Sequence, residues 1–333
     1  MNIEEDFNEF YNMFLIQNKE NFNQIEEHRQ RAIQERKRDN ILILVGEIIL
    51  LLIIICAFVF LGFQEETEAI IVFCGCATLF FPALLALRKH RALVAYEKAY
   101  REKIIESLVK SFCPSLEYFP GGKLTPEDFN EINKEYYNNF YSSNLIRGNY
   151  MSDIVKIAKV ITQYSYSDYS TNNRSGNYET FDGLLAKIEL TKSFNTELYL
   201  KKKESINQKS FNVFVADINQ VSKTKEAENY LKKNYSKIDV DELNNIFNIY
   251  SSNVDYAKNI FSPETNQDLI DINNIEPFEL SIKDNYIYIK FWIAGLFSNP
   301  PLAENADDKK IIYKNYKMLY VIFYLLSKLK EKM

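Results

Sequence analysis

The sequence is poor in the residue that many hydrolytic and metal-dependent active sites require. It has 2 histidines, His28 and His90, and each lies beside a long apolar run. Ser-His-Asp triads, Cys-His pairs and His-ligated zinc sites all need histidine. Residues 114–333 contain none, so these chemistries are excluded from that part of the chain.

Cysteine and glycine are also scarce. Of the 4 cysteines only Cys113 lies outside the apolar runs, so no disulfide framework is expected, as is typical of a reducing compartment. With 9 glycines the chain has neither a GxGxxG nor a GxxxxGK[ST] motif, and it lacks a DxDxDG-type calcium loop. We therefore predict no cofactor and no metal site.

The chain contains no predominantly basic domain. The net charge is −5, with acidic and basic residues interspersed. A nucleic-acid-binding domain usually carries a basic patch or stripe, so no nucleic acid is expected as a partner.

Two long apolar runs stand out from this background. Ile41–Phe63 is apolar except for Glu47, and residues 69–87 carry no charge. About 20 apolar residues in a helix cross the hydrocarbon core of a bilayer. We therefore predict two transmembrane helices, at 41–63 and 69–87, joined by an external loop at 64–68. A signal peptide is disfavoured because a charged segment of 40 residues precedes the first run and no small-x-small cleavage site closes it.

The distribution of lysine and arginine predicts the orientation of this hairpin. Basic residues precede the first run and follow the second, whereas the loop between them has three glutamates and no basic residue. Positive charge stays on the cytoplasmic side, so both termini are expected there, with the lipid bilayer of the cell membrane as a partner. Glu47 is either a functional intramembrane carboxyl or a residue close enough to the surface to reach the headgroups, and we favour the second.

The rest of the sequence predicts a membrane-anchored α+β fold, with mostly antiparallel strands and a long C-terminal helix in the domain beyond the membrane. We expect a cytoplasmic N-terminal helix at 1–40, a cytoplasmic stalk helix at 88–113 packed antiparallel to it, and a cytoplasmic α+β domain at 114–333. Thr125-Pro126 and Ser262-Pro263 are typical helix starts. Alternating apolar residues predict strands at 154–169, 181–190, 196–201 and 211–218, with a polar hairpin loop at 171–177. A hairpin at 278–293 turns at Asp284-Asn285, and the last helix covers 307–332, apolar on two sides.

The order of several short motifs resembles a bacterial family of membrane proteins known as domain of unknown function 3137. The matching residues are Pro114, Tyr118 and Pro120; Leu145-Ile146-Arg147-Gly148; Phe181-Asp182-Gly183-Leu184; Phe247 to Ser252; Ile260 to Pro263; and Leu296-Phe297. The resemblance implies a two-span hairpin followed by a mixed α/β domain. The family has no assigned activity, so the resemblance implies no chemistry.

The chain departs from the family at polar positions. The family typically has an acidic pair where this chain has Ser143-Asn144, and Arg-Tyr where it has Lys258-Asn259. An acidic residue is also expected near Lys159. If these positions carry a reaction in the family, we expect this chain to have lost that reaction. If they form a structural ion pair in the family, both partners of the pair have been replaced together in this chain. The candidate polar positions are Ser143, Asn144, Arg147, Lys159, Lys258 and Asn259.

Three functions remain open from the sequence. The favoured one is a membrane protein that presents a binding or scaffold domain to a protein partner or to a second copy of itself. The second is a subunit of a larger membrane complex, held through its hairpin by Glu47 and Pro82. The third is an enzyme without histidine or cysteine chemistry, for which the catalytic residues are unknown. Its candidates are Asp153, Asp168, Asp182, Lys258 and Asp284.

Overall fold

The computed structural model describes residues 3–61, 91–132, 137–168, 174–192, 194, 196–203, 229–293 and 295–332. Their contacts divide the chain into two compact units, which are described separately below. The first unit contains residues 1–14, 105–298 and 309–333, and the second contains residues 15–104 and 299–308.

The second unit is built on two antiparallel helices. Helix α1 (Ile3–Gln17) enters this unit at its C-terminal end, and α2 (Lys19–Leu61) follows it. Helix α3 (Arg91–Tyr100) runs back along α2 and continues into a π-helical turn, Arg101–Ile105. The Ala92 amide donates to Glu35 Oε2 at 3.2 Å, and Lys103 Nζ donates to Gln24 Oε1. The predicted antiparallel pairing of the two charged helices is therefore confirmed.

A loop at residues 299–308 closes this helix pair through buried polar contacts. Arg29 donates to the Leu302 carbonyl at 2.5 Å and forms an ion pair with Glu26 at 2.6 Å. The hydrogen bond from Arg29 lowers the pKa of the Glu26 carboxyl. Tyr96 Oη donates to the Pro300 carbonyl at 2.9 Å, and burial raises the pKa of this phenol to about 12.

The structure contradicts the predicted membrane-anchored fold. Among the described residues, no helix combines the length and apolar character needed to cross a bilayer. The first predicted span is not a separate apolar helix, because it forms the later part of α2, whose earlier part is densely charged. The second predicted span, 69–87, lies outside the described residues. The same finding contradicts the predicted location, which was a multi-pass protein of the cell membrane with both termini in the cytoplasm.

The first unit is organised by an antiparallel sheet of nine described strands, in the order β1-β2-β3-β4-β9-β8-β5-β7-β6. Neighbouring strands pair antiparallel throughout, which confirms the predicted strand orientation. The strands are β1 (Glu117–Phe119), β2 (Asn139–Tyr150), β3 (Asp153–Asp168), β4 (Arg174–Glu189), β5 (Leu198–Lys202), β6 (Ser236–Ile238), β7 (Phe247–Ser251), β8 (Phe278–Lys283) and β9 (Tyr286–Phe291).

The two faces of this sheet differ in chemistry because successive side chains point to opposite sides. One face carries the aliphatic core, including the fully buried Ile157, Ala186 and Ile289, which are paired in register. The other face carries a polar and aromatic row across the middle strands. The members of this row pair with one another in register across neighbouring strands; they are Lys156, Lys187, Tyr288, Ser281 and Tyr199.

The described part of the first unit also contains five helices with defined bounds, besides helical residues at 229–234. They are α4 (Glu106–Phe112), α5 (Pro126–Asn130), α6 (Val254–Ile260), α7 (Pro263–Ile275) and α8 (Lys309–Glu331). Thr125 and Ser262 cap α5 and α7 as predicted, and each helix has proline in its first turn. Helix α8 buries both of its predicted apolar faces, including Tyr316, Leu319, Ile322 and Leu326.

Several strands were not predicted. Neither Glu117–Phe119 nor Asn139–Tyr150 was predicted to be a strand. No element was predicted at 236–238, where β6 lies. The predicted hairpin loop at 171–177 is shorter, since β4 begins at Arg174. The predicted strand at 211–218 lies outside the described residues.

Candidate functional site

The Ser143-Asn144 pair lies at an irregularity in β2. The pairing of β2 with β3 shifts register between Ser143 and Ile146. Asn144 has φ of 57°, a left-handed conformation that asparagine tolerates better than most residues. Its side-chain Oδ1 accepts a hydrogen bond from Tyr118 Oη at 2.6 Å, and its backbone N–H donates to the Pro120 carbonyl at 3.1 Å. Asn144 therefore holds the turn that follows β1.

That turn forms an open groove at one end of the sheet. Phe119, Pro120, Gly121 and Gly122 line it together with Leu145 and Arg147, around a volume of about 420 Å³. We call this surface the edge groove, because β1 is the terminal strand of the described sheet. Its lining is almost entirely apolar apart from Arg147.

A close backbone approach shapes the floor of the edge groove. A Cβ atom at Gly122 would lie 2.6 Å from Leu145 Cβ, so a larger residue there would push the turn away from β2. A Cβ at Gly121 would meet no atom within 4 Å, because this residue faces open space. The groove therefore has a fixed floor and an open mouth.

Arg147 is the charged residue of the edge groove. Its guanidinium carbon lies over the Phe119 ring, 4.8 Å from the ring centre, in a cation–π arrangement. It is an exposed residue, and its register neighbours are Glu117 on β1 and Lys156 on β3. Within the described part of the chain, Arg147 forms no ion pair. Nearby lysines differ in this respect, since Lys159 pairs with Asp182 and Lys187 with Asp128.

Lys159 has an acidic partner that the sequence did not reveal. Lys159 Nζ lies 3.3 Å from Asp182 Oδ1 on the neighbouring strand, and both side chains are largely buried. The acid expected near Lys159 is thus supplied across the β3–β4 pair. Lys159 is the register partner of Ser143, so the ion pair lies beside the β2 irregularity.

The other predicted positions are not brought to this site. Lys258 and Asn259 are exposed residues of α6, which follows β7. In the strand order β7 is next to the last strand at one end, whereas β2 is next to the last at the other. Glu47 is an exposed residue of α2, in the second unit.

The described carboxylates proposed for an enzyme have structural positions. Asp153 is 1% exposed; it accepts hydrogen bonds from Thr191 and forms an ion pair with Lys330 at 2.7 Å. Asp284 occupies the β8–β9 turn with φ of 55°. The side chain of Asp168 lies outside the described residues. No three His, Cys, Asp or Glu residues of the described chain are grouped so as to hold a metal ion.

The structure assembles a buried ionic cluster that the sequence reasoning missed. Glu279 Oε2 lies 2.8 Å from Lys201 Nζ and 3.7 Å from Lys290 Nζ. Lys290 is fully buried, with its ammonium 4.4 Å from the centre of the Trp292 ring and 5.0 Å from that of Phe181. Lys201 Nζ also donates to the Ile132 carbonyl at 2.7 Å. The cluster therefore ties the segment after α5 to the sheet.

Opposing effects set the charge of these carboxylates. Burial alone raises the pKa of Glu279, but Lys201 and Lys290 lower it, and the net shift is downward. Burial also raises the pKa of Asp128, but the hydrogen bond at 2.6 Å and the charge of Lys187, together with hydrogen bonds from Thr125, outweigh that effect and lower the pKa. Both acids are thus held ionised by lysines.

One sequence signal could have located the buried cluster. The predicted hairpin turns at Asp284-Asn285, and counting outward from a two-residue turn places Glu279 opposite Lys290. Opposite charges at facing positions of a buried hairpin indicate an ion pair. The contribution of Lys201 could not be counted in this way, because it comes from a strand distant in sequence.

The fold and its sites define a class: an antiparallel α+β domain with an apolar groove at one sheet edge and a buried ionic layer. Residues 179–331 match the model of the family described as a protein of unknown function (DUF3137). The resemblance predicted from the motifs is thereby confirmed. The matched segment includes Lys258 and Asn259 but not Ser143, Asn144, Arg147 or Lys159.

Other comparisons add little to this assignment. No curated protein matches the chain. A similarity to the crystal structure of the mycobacterial trehalose monomycolate transport factor A, TtfA, covers 67% of this chain and 92% of that chain, with 10% identity and a TM-score of 0.31. At that score the likeness supports no functional inference.

Proposed function

We propose that this chain is a binding module that holds an extended segment of a protein partner in the edge groove. The observation that carries the proposal is Arg147, stacked on Phe119 beside an apolar cleft and without an acidic partner among the described residues. A guanidinium fixed in this way can bind a carboxylate through two parallel hydrogen bonds.

The position of the groove favours an extended ligand. Among the described strands, β1 pairs with β2 alone and forms the end of the sheet. Extended peptides commonly bind at a sheet edge, where backbone contacts give affinity and side-chain pockets give specificity. The chemistry of the groove fits a segment with an apolar side chain next to Asp, Glu or a terminal carboxylate.

The ionisable side chains support binding more than catalysis. The lysines and carboxylates that are buried near the edge groove and beneath α5 are engaged in ion pairs, at Lys159–Asp182, Lys187–Asp128 and Lys201–Glu279. A catalytic acid or base must be able to exchange its proton with a reacting group. The residue left available at the groove is an arginine, which binds anions well but does not titrate in proteins.

Site-specific cross-linking in cells tests this proposal. A photo-reactive amino acid replaces Gly121, whose Cβ direction is open, in the full-length chain, with the exposed Asn259 as the matched control position. We expect a protein adduct at 121 and not at 259. Mass spectrometry of the adduct should identify an extended segment with a carboxylate next to an apolar residue.

The role of Arg147 is then measured with a synthetic peptide of that segment. Binding to the full-length chain should weaken at least about tenfold in Arg147→Glu, because attraction becomes repulsion, and less in Arg147→Lys. Equal labelling at 121 and 259, or unchanged peptide affinity in Arg147→Glu, would contradict the proposal. An adduct with a second copy of the chain would identify the partner as the protein itself.

A further inference from the structure

Helix α1 belongs to the first unit although the chain that follows it does not. Residues 1–14 group with residues 105–298 and 309–333, whereas residues 15–104 form most of the second unit. The next part of the first unit along the chain therefore begins 90 residues later, after residues 15–104. The contacts that hold this helix on the first unit therefore join residues that are far apart in sequence.

The contact surface on α1 is a single aromatic face. Ile3, Phe7 and Phe14 are 6%, 3% and 1% exposed, and they recur at the spacing of one helix side. The Phe10 ring stacks on Tyr316 at 4.6 Å, and the Phe7 ring lies 4.8 Å from Tyr313. The opposite side of α1 is exposed, including Met13 at 51%.

The receiving surface is formed by α8 together with the end of α4. We call it the aromatic groove and define it by Phe112, Tyr313, Tyr316 and Tyr320. Phe112 lies 5.2 Å from Tyr316 and 6.5 Å from Phe10, measured between ring centres. Without α1, the rings of this groove would lose their apolar cover.

Polar contacts fix the position of α1 along the groove. Tyr320 Oη donates to Asp6 Oδ2 at 2.8 Å, and Lys309 Nζ donates to Asn8 Oδ1 at 2.7 Å. The Lys309 ammonium also lies 5.3 Å from the centre of the Tyr11 ring. Aromatic anchors with polar contacts at the rim are typical of an amphipathic helix bound in a groove.

We infer that residues 3–14 are a detachable helical ligand of the aromatic groove of their own chain. The break at Asn18 separates this helix from α2, since α1 ends at Gln17 and α2 begins at Lys19. A one-residue break at the end of a docked element is a suitable hinge for its release. The inference does not depend on the edge groove.

Peptide binding in trans tests the inference on the full-length chain. The variant Phe7→Ala weakens the chain's own α1, and the probe is a fluorescent peptide of residues 1–18, followed by anisotropy. We expect the peptide to bind this variant at least about tenfold more tightly than the wild-type chain, whose groove is occupied. In the peptide, Phe10→Ala should weaken binding about 30-fold, whereas Met13→Ala, at an exposed position, should not change it.

Hydrogen exchange of the wild-type chain provides a measurement that needs no variant to fold. If α1 detaches, amides of residues 3–14 should exchange at least about tenfold faster than those of residues 312–326. Equal protection of the two segments, or no saturable peptide binding to a Phe7→Ala chain with native near-ultraviolet circular dichroism, would overturn the inference. In either case α1 would be an integral part of the core.

Discussion

At the residue scale, the buried Glu279 is held between two lysines. It is 7% exposed and lies between Lys201 and Lys290, and the Lys202 amide also hydrogen-bonds it. Taking a carboxylate out of water is costly, and the two lysines offset that cost. The removal of one partner is therefore more damaging than the pair is stabilising, since it leaves the other charges uncompensated.

We predict that Glu279→Gln lowers the free energy of unfolding by about 3 kcal/mol at pH 7. The folded pKa of Glu279 lies below the usual 4.5, so its stabilising contribution is present above pH 4.5 and is lost as the pH falls below that value. The difference between wild type and variant should therefore shrink on acidification. Urea denaturation followed by Trp292 fluorescence measures it.

The control for this comparison is the exposed Glu304. Glu304→Gln should change the unfolding free energy by less than about 0.5 kcal/mol at either pH. A Glu279→Gln variant that is as stable as the wild type at pH 7 would show that Lys201 and Lys290 remain buried without the negative charge of this carboxylate. Lys290 would then be compensated by the aromatic rings alone, which we do not expect.

At the element scale, the sequence predicted the elements that have strong local signals. The helix starts at Thr125 and Ser262, the β8–β9 hairpin and the two-sided helix α8 all depend on neighbours within a few positions. Strand β2 lacks such a signal, because Asn139, Ser142 and Ser143 have low strand propensity and are held by pairing with β3. The edge groove was missed for the same reason, although its residues Pro120, Leu145 and Arg147 belong to motifs singled out from the sequence.

The irregularity of β2 gives a prediction that separates conformation from hydrogen bonding. Asn144→Gly keeps the left-handed backbone but removes the acceptor of Tyr118 Oη, so we expect a loss of about 1 kcal/mol. Asn144→Ala adds the cost of the left-handed conformation and should lose about 2 kcal/mol. Thermal or urea unfolding of the two variants measures the difference.

The comparison also decides what Asn144 contributes to binding. If Asn144 acts through the turn, the alanine variant should weaken peptide binding in the edge groove more than the glycine variant does. Equal stability of the two variants would mean that the backbone at residue 144 relaxes without cost. Asn144 would then not determine the register shift of β2.

At the scale of the whole molecule, the strand order separates the family segment from the rest of the sheet. The strands within residues 179–331 are β5 to β9 and most of β4, and they are contiguous in the sheet. Strands β1, β2 and β3 lie outside the match and are added to the β4 edge of that block. The edge groove thus lies on the added strands, whereas the buried ionic cluster lies mainly on the family strands.

Strand β4 joins the two parts, and Gly183 is the position where it approaches β9 most closely. A Cβ at Gly183 would lie 1.9 Å from the Phe291 carbonyl oxygen and 2.6 Å from Phe181 Cζ. The backbone of Phe291 cannot move away from residue 183 without separating β4 from β9, because the two strands are paired at Leu184 and Phe291. Glycine is therefore required at this position for steric reasons.

We predict that Gly183→Ala destabilises the first unit by about 2 to 3 kcal/mol, whereas Gly121→Ala, with open space at its Cβ, changes stability by less than about 0.5 kcal/mol. Because β4 carries both neighbours, amides of β3 and β9 should lose protection together in Gly183→Ala. Hydrogen exchange of the full-length chain resolves the two strands. Loss of protection in β9 alone would show that β1, β2 and β3 fold independently of the family strands, and the sheet would then consist of two cooperative units rather than one.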